Sequence, residues 1–333
     1  MKDLSKRKVT LLFRKKRDRF FSIERIFQQL TPSIARGLDV DRWEAPYASP
    51  WQIFRNLKAV RTCKADIYHI TGDIHYIALG LPRKKTLLTI HDCVFLYSTT
   101  GVKRRFFKWL FLDMPVRRSR MVTAISEKTR ADILRYTGCP PGKVVVVPNP
   151  VDSNIRYQPS IFRQDRPVIL FIGSTPNKNL ERVIPALEGI PCHLNIIGIL
   201  PGGMKELLLQ HSIDYSVRQN LTDEEMYAEY VACDMILFPS TFEGFGLPVV
   251  EGQKAGRPVI TSNINPMKEV AGEGACLVDP NDIASIREGV RRVIQDNAYR
   301  EKLVESGLSN IARYTPENIA RQYLECYQKI LTT

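Results

Sequence analysis

Glu243 and Glu251 are the side chains best placed in this sequence to act on a hydroxyl-rich ligand. They close the string Glu243-Gly-Phe-Gly-Leu-Pro-Val-Val-Glu251. A carboxylate accepts two hydroxyl hydrogen bonds at once, and bonds to an ionised group are the strong ones. An apolar run, 235–238, leads into the loop that carries Glu243, Gly244 and Gly246. Pro248 suits the first position of a helix, where its missing N–H would go unpaired anyway. Glu251 then falls about one turn into that helix, and a second apolar run, 258–261, follows. The order is strand, loop, helix, strand, with both carboxylates at one end. Backbone amides and the positive helix terminus favour an anionic or hydroxyl-rich ligand there. Two glutamates alone would read as favourable charges near a helix start. The longer string Pro239-Ser-x-x-Glu-Gly-Phe-Gly246 argues for a site.

That string resembles the two-glutamate signature of the family 4 glycosyltransferases, retaining enzymes of GT-B architecture. The resemblance implies that Glu243 meets donor-sugar hydroxyls and Glu251 the ribose of a nucleotide. Gly244, Phe245, Gly246 and Leu247 would form the donor-binding loop between them. Leu88-Thr-Ile-His-Asp92 resembles the setting of the family's active-site histidine, so His91 is expected to hydrogen-bond a sugar hydroxyl through either ring nitrogen. Asp92 would orient His91 or cap the segment after it; the sequence leaves both open.

Phe171-Ile-Gly-Ser-Thr-Pro-Asn-Lys-Asn-Leu180 follows the family pattern of a strand, a glycine, a short loop and a lysine opening a helix. Gly173, Ser174, Lys178 and Asn179 are the residues expected at the donor diphosphate, with Lys178 neutralising it. A lysine in the first turn of a helix opposes the helix dipole, which itself argues for an anion nearby. Many relatives place arginine where Ser174 stands, so this chain offers one permanent positive charge fewer. Thr123-Ala-Ile-Ser-Glu-Lys128 and Val145-Val-Val-Pro-Asn-Pro-Val-Asp152 are further landmarks, the second with Pro150 where glycine is usual.

Strands are needed to carry these loops, and apolar runs supply them at 9–13, 66–70, 86–90, 121–125 and 144–147. A second series lies at 168–172, 193–197, 215–218, 235–238, 259–261 and 276–278. Helical patterns intervene, notably 21–30 and 127–136, the latter opened by Ser126 as N-cap. Strands alternating with helices imply parallel sheets with right-handed crossovers, whose ligands bind beyond the carboxyl ends of the strands. The expected class is therefore α/β: two Rossmann-like domains with parallel sheets facing across a cleft, the GT-B plan. Residues 1–158 would form the acceptor-side domain and 166–315 the nucleotide-sugar domain, with 148–166 as linker. Residues 316–333 would form a final helix that crosses back to the first domain.

A chain of 333 residues with 44% apolar content suits two globular domains. It has no apolar run of membrane-spanning length and no evident secretory signal. Its seven cysteines are scattered without a Cys-x-x-Cys pair, which favours a reducing, cytoplasmic setting over a disulfide framework or zinc site.

Charge is split. Residues 1–165 hold 32 Lys and Arg against 14 Asp and Glu, a net of +18; the remainder nets −5. Basic clusters stand at 6–8, 14–17, 83–85 and 103–105, the last running into Phe106-Phe-Lys-Trp-Leu-Phe111. Basic residues among aromatics suit the anionic face of a membrane, giving a peripheral protein. The bland reading is a helix that buries its aromatic face and solvates its charges. No glycine follows the first apolar run, although a glycine-rich loop is usual there in the family. Asp39-Val-Asp41 matches a metal motif of another glycosyltransferase class only superficially, without strand context, so no metal is expected.

The expected activity is transfer of a hexose from a nucleotide-diphosphate sugar, with retention, to a glycan or lipid-linked acceptor in polysaccharide, lipopolysaccharide or glycolipid synthesis. No cofactor is needed beyond that co-substrate. A GT-B nucleotide-sugar epimerase is the alternative of the same fold, and the Glu-Gly-Phe-Gly string counts against it. A basic nucleic-acid-binding protein is the alternative of another class; only the positive half suggests it, and no recognition motif supports it.

Overall fold

Runs such as Val-Ile-Leu-Phe-Ile and Met-Ile-Leu-Phe are apolar on both faces, and a strand of that kind is buried only when helices cover both sides of its sheet. The computed structural model describes residues 7–15, 22–96 and 99–332. Parts of the basic clusters at 6–8 and 14–17, and the start of the helix expected at 21–30, lie outside those residues.

Among the described residues the chain forms two compact units, 1–150 with 316–333, and 151–315. The first holds β1 (Lys8–Phe13), β2 (Asp39–Glu44), β3 (Ile67–Ile70), β4 (Thr86–Ile90), β5 (Met121–Ala124) and β6 (Val144–Val146). The second holds β7 (Val168–Ile172), β8 (His193–Ile197), β9 (Tyr215–Arg218), β10 (Met235–Phe238), β11 (Val259–Ser262) and β12 (Ala275–Val278). All neighbouring strands pair in parallel. The sheet orders are β2-β1-β3-β4-β5-β6 and β12-β11-β10-β7-β8-β9. Each order reverses direction once, between β1 and β3 in one unit and between β7 and β10 in the other. Loops leaving two such strands diverge to opposite sides and leave a crevice at their carboxyl ends.

Two sequence expectations change. β2 is a strand that the apolar pattern did not announce: it is an edge strand of sequence Asp-Val-Asp-Arg-Trp-Glu, largely exposed, so its alternation is masked by charge. Asp39 and Asp41 therefore do have strand context, but Asp41 is paired with Lys8 at 2.9 Å. The division between units falls after Pro150, because residues 151–166, read as linker, are bound to the second unit. Val151 and Ile155 are buried, Tyr227 donates to Asp152 at 2.5 Å, and Lys254 and Arg257 donate to the carbonyls of Asp152 and Gln158 at 2.7 and 2.9 Å.

The helix Pro316–Thr332 packs within the first unit on the helix Ser22–Ala35. Its Tyr327 hydroxyl lies 2.7 Å from Nδ1 of the buried His69, whose Nε2 meets Thr89 Oγ1 at 2.7 Å. All seven cysteines are free thiols.

Candidate active site

In the second unit the switch point is formed by the loops after β7 and β10. Thr241 N donates to Asn177 O at 2.7 Å, and Asn177 Nδ2 donates to Phe242 O at 2.8 Å, so the two loops are tied together. Lys178 ends a single 3₁₀ turn, Pro176–Lys178, and the α-helix Leu180–Leu187 begins only after Asn179. The lysine thus precedes the helix rather than opening it, and the dipole argument made from sequence does not apply.

What holds Lys178 is different. Gly173 has φ +115°, and a Cβ there would stand 2.6 Å from Cγ of Lys178, so the lysine stem lies flat on the glycine backbone. Its ammonium rests 4.7 Å from the centre of the Phe238 ring and donates to Glu243 Oε1 at 2.6 Å. Ser240 Oγ donates to the same oxygen at 2.6 Å, and Asn177 Nδ2 lies 3.3 Å from it. The Lys178 and Glu243 side chains are only 19% and 14% exposed, which makes the pair strong without removing it from ligand reach.

Gly246 is the N-cap of the helix Leu247–Lys254, with φ +100° and no side chain to offer the first N–H groups. Pro248 is the second helical residue. Glu251, half-buried, accepts from the Tyr230 hydroxyl at 2.6 Å. Gly244 and Leu247 flank this loop, half-buried. Phe245 points inward, 4% exposed and edge-on to Tyr314 at 5.6 Å, so only its backbone faces the loop. Ser174 follows Gly173 and lies against Gly198 at the end of β8. Asn179 is fully buried, and its amide donates to Pro239 O and Pro280 O at 3.0 and 2.6 Å. It fastens the loops after β7, β10 and β12 rather than joining the ligand-facing group.

Asn177, Ser240 and Tyr230 were missed from sequence. Asn177 and Ser240 stand inside the strings that carried the resemblance, but the carboxylate they serve is revealed only by folding.

In the first unit His91 follows β4, half-buried. Its Nε2 lies 2.7 Å from Thr71 O. A carbonyl only accepts, so Nε2 carries a proton, and in the neutral ring Nδ1 is left to accept a hydroxyl. Asp92 caps the next segment, taking Val94 N at 2.9 Å. Arg14, after β1, grips Glu24 through Nε and Nη2 at 2.9 and 3.2 Å and also pairs with Asp73. Where the family has a glycine-rich loop, this chain has a guanidinium already bound by two carboxylates. The crevice there is a cavity of about 190 Å³ whose lining includes Arg14, Tyr47, Ile53, Asp73, Tyr76 and Phe111. A larger cavity of about 620 Å³ lies among Tyr157, Phe162, Asp234 and Arg257, at the amino ends of β10 and β11. That is the end of a parallel sheet opposite to ligand binding, so the smaller features at the carboxyl ends carry the argument.

Two parallel α/β units, each with a switch-point crevice, one holding a lysine–glutamate pair beside a helix start, define the GT-B class. The fold agrees with that of sucrose-phosphate synthase (tll1590) from Thermosynechococcus elongatus, at a TM-score of 0.79 and 18% identity over 98% of this chain and 100% of that one. Residues 5–155 match the model described as Glycosyltransferase Family 4, and residues 154–309 match Glycosyl transferases group 1. The O-antigen chain mannosyltransferase B of Escherichia coli is 27% identical over 299 residues, 82% of this chain and 77% of that protein. The serotype-specific mannosyltransferase WbdA of the same organism is 25% identical over 278 residues, 74% of this chain but 34% of its own length. The chain belongs to the family 4 glycosyltransferases.

Proposed function

We propose that this enzyme transfers a mannosyl residue, with retention, from a nucleotide-diphosphate sugar to a glycan or lipid-linked acceptor in the synthesis of a surface polysaccharide. The sugar is suggested by the relatives, which are named as an O-antigen chain mannosyltransferase and a serotype-specific mannosyltransferase. The donor follows from the Lys178–Glu243 pair at the switch point, which offers a cation for a diphosphate beside a carboxylate for sugar hydroxyls. Glu251, held by Tyr230, takes the ribose, and Gly173 and Ser174 line the diphosphate. His91 contributes Nδ1 to the sugar. No side chain serves as covalent nucleophile: attack and departure share one face, and the leaving phosphate, stabilised by Lys178, helps accept the acceptor's proton.

A panel of nucleotide sugars tests this reading by thermal stabilisation, which at a hundredfold excess over Kd is worth about 2.7 kcal/mol. A nucleotide-diphosphate mannose should stabilise most, turnover should survive EDTA, and NMR of the product should show the donor's anomeric configuration. Inversion at the anomeric carbon, or stabilisation by no nucleotide sugar, would overturn it.

A further inference from the structure

The sequence left open whether the aromatics of the 103–111 segment are buried or exposed, and the structure divides them. On the helix Gly101–Lys108 and the turn Trp109–Asp113, Phe107, Leu110 and Phe111 face inward to varying depth. Val102, Phe106 and Trp109 are 82%, 55% and 48% exposed, and Arg105 is exposed between them. Positions 102, 105, 106 and 109 form one stripe of a helix. The helix Ile53–Val60, with the 3₁₀ turn that precedes it, repeats the arrangement. Trp51 and Phe54 are 93% and 83% exposed, and Arg55 and Lys58 complete the same spacing.

The inner sides of the two segments meet the same residues. Asn56 Nδ2 donates to the Tyr76 hydroxyl at 2.8 Å, Phe111 stands edge-on to the Tyr76 ring at 6.0 Å, and Ile53 and Phe111 line the same cavity. Single exposed apolar side chains are ordinary, but five on two stripes built over the same inner residues are of the kind that marks an interaction surface. Segment 50–60 contains no Asp or Glu and carries Arg55 and Lys58; segment 101–113 carries Lys103, Arg104, Arg105 and Lys108 against one acid, Asp113, which pairs with Lys108 at 2.8 Å.

We propose that Trp51, Phe54, Val102, Phe106 and Trp109, with the cations interleaved among them, dock the first unit on an anionic lipid bilayer. Trp and Phe side chains partition into the headgroup region, and the cations meet anionic headgroups beside them. A second copy of the chain is a poor occupant, because it would bring one cationic stripe against another. Docked in this way, the cavity lined by Ile53 and Phe111 lies beside the membrane surface, where the head of a lipid-linked acceptor would be found. Docking itself requires nothing of the donor site, so it stands or falls independently of the proposed transfer reaction.

Two of the three tryptophans, Trp51 and Trp109, lie in the patch; the third, Trp43, is half-buried on β2. The full chain is floated with vesicles of phosphatidylcholine alone and of phosphatidylcholine with phosphatidylglycerol, at low and high salt. Flotation with the anionic vesicles alone, weakened by salt, is expected, together with a blue shift and quenching by brominated lipid. Trp51→Phe combined with Trp109→Phe should still float but lose the quenching. Trp51→Ser with Phe54→Ser and Phe106→Ser should lose most of the binding, and each of Arg55→Ser, Lys58→Ser and Arg105→Ser should cost about fivefold. Unchanged melting temperature and donor binding confirm that these exposed substitutions leave the fold intact. Absence of flotation, flotation without quenching, wild-type binding by the triple aromatic variant, or a dimer that these substitutions dissociate in the absence of lipid would each overturn the proposal.

Discussion

Glu243→Gln and Lys178→Met should change the affinity for the leaving nucleoside diphosphate in opposite directions. Lys178 is bonded to Glu243 at 2.6 Å, with both side chains mostly withdrawn from water. A diphosphate must draw the ammonium away from that partner or share it. A hydrogen bond between charged groups is worth about 1.5–3 kcal/mol, and neutralising Glu243 weakens the competitor while Ser240 and Asn177 still hold the side chain in place. If half of that energy opposes phosphate binding, Glu243→Gln binds the nucleoside diphosphate about three- to tenfold more tightly than wild type. The same substitution should lower kcat by about a hundredfold or more, because it removes the carboxylate proposed to meet the reacting sugar. Lys178→Met should weaken the nucleoside diphosphate by a comparable factor and lower kcat as well. Isothermal titration of the sugar-free nucleotide into both variants and the double variant closes the cycle. Equal loss of nucleotide affinity in Glu243→Gln and Lys178→Met would refute the competition.

Three other outcomes follow from the geometry. Glu251→Ala should weaken donor binding by about 1.5–3 kcal/mol, and Tyr230→Phe by less, since it removes only the hydroxyl that holds Glu251 at 2.6 Å; donor titrations with the Glu251 variant as tight as wild type would remove Glu251 from the site. His91→Ala should lower kcat about ten- to a hundredfold, and Gly72→Ala should reproduce part of that loss, because its Cβ would stand 2.8 Å from His91 Cδ2; undiminished turnover in His91→Ala would exclude the histidine. Burial, with His91 nearby, holds His69 down to about 3 against 6.5 in an exposed ring. Below pH 6.5 the unfolded chain therefore takes up a proton that the folded chain refuses. Stability should fall by up to about 1.4 kcal/mol per pH unit between 6.5 and about 3. Urea unfolding across that range measures the slope, which His69→Gln should flatten.

Much of the architecture was legible because parallel strands buried on both faces read as unbroken apolar runs, and 168–172 or 235–238 admits little else. β2 was not legible, because an edge strand needs no apolar face and Asp39-Val-Asp-Arg-Trp-Glu44 has almost none. At the site the two carboxylates and the lysine were visible as residue types in suggestive strings. Their partners were not: Asn177 and Lys178 reach Glu243 only because the loops after β7 and β10 meet, with more than sixty residues between them in the chain, and Ser240 reaches it by the fold of its own loop. Nor could sequence show that Asn179 is spent on the scaffold, since a ligand-binding amide and a loop-fastening one look alike until their neighbours are known.

The placement of the helix Pro316–Thr332 bears on the order of events at the ribosome. The second unit is one continuous segment, 151–315, whereas the first needs residues from both ends of the chain. A polypeptide emerging amino end first can complete the second unit while the first still lacks the tyrosines that cover His69 and Phe27. During that interval the apolar bed of the last helix is uncovered, so the first unit's passage through synthesis is where aggregation threatens and where a chaperone would be of use. A chain cut short after residue 315 should therefore yield an intact second unit attached to a first unit that never closes its core.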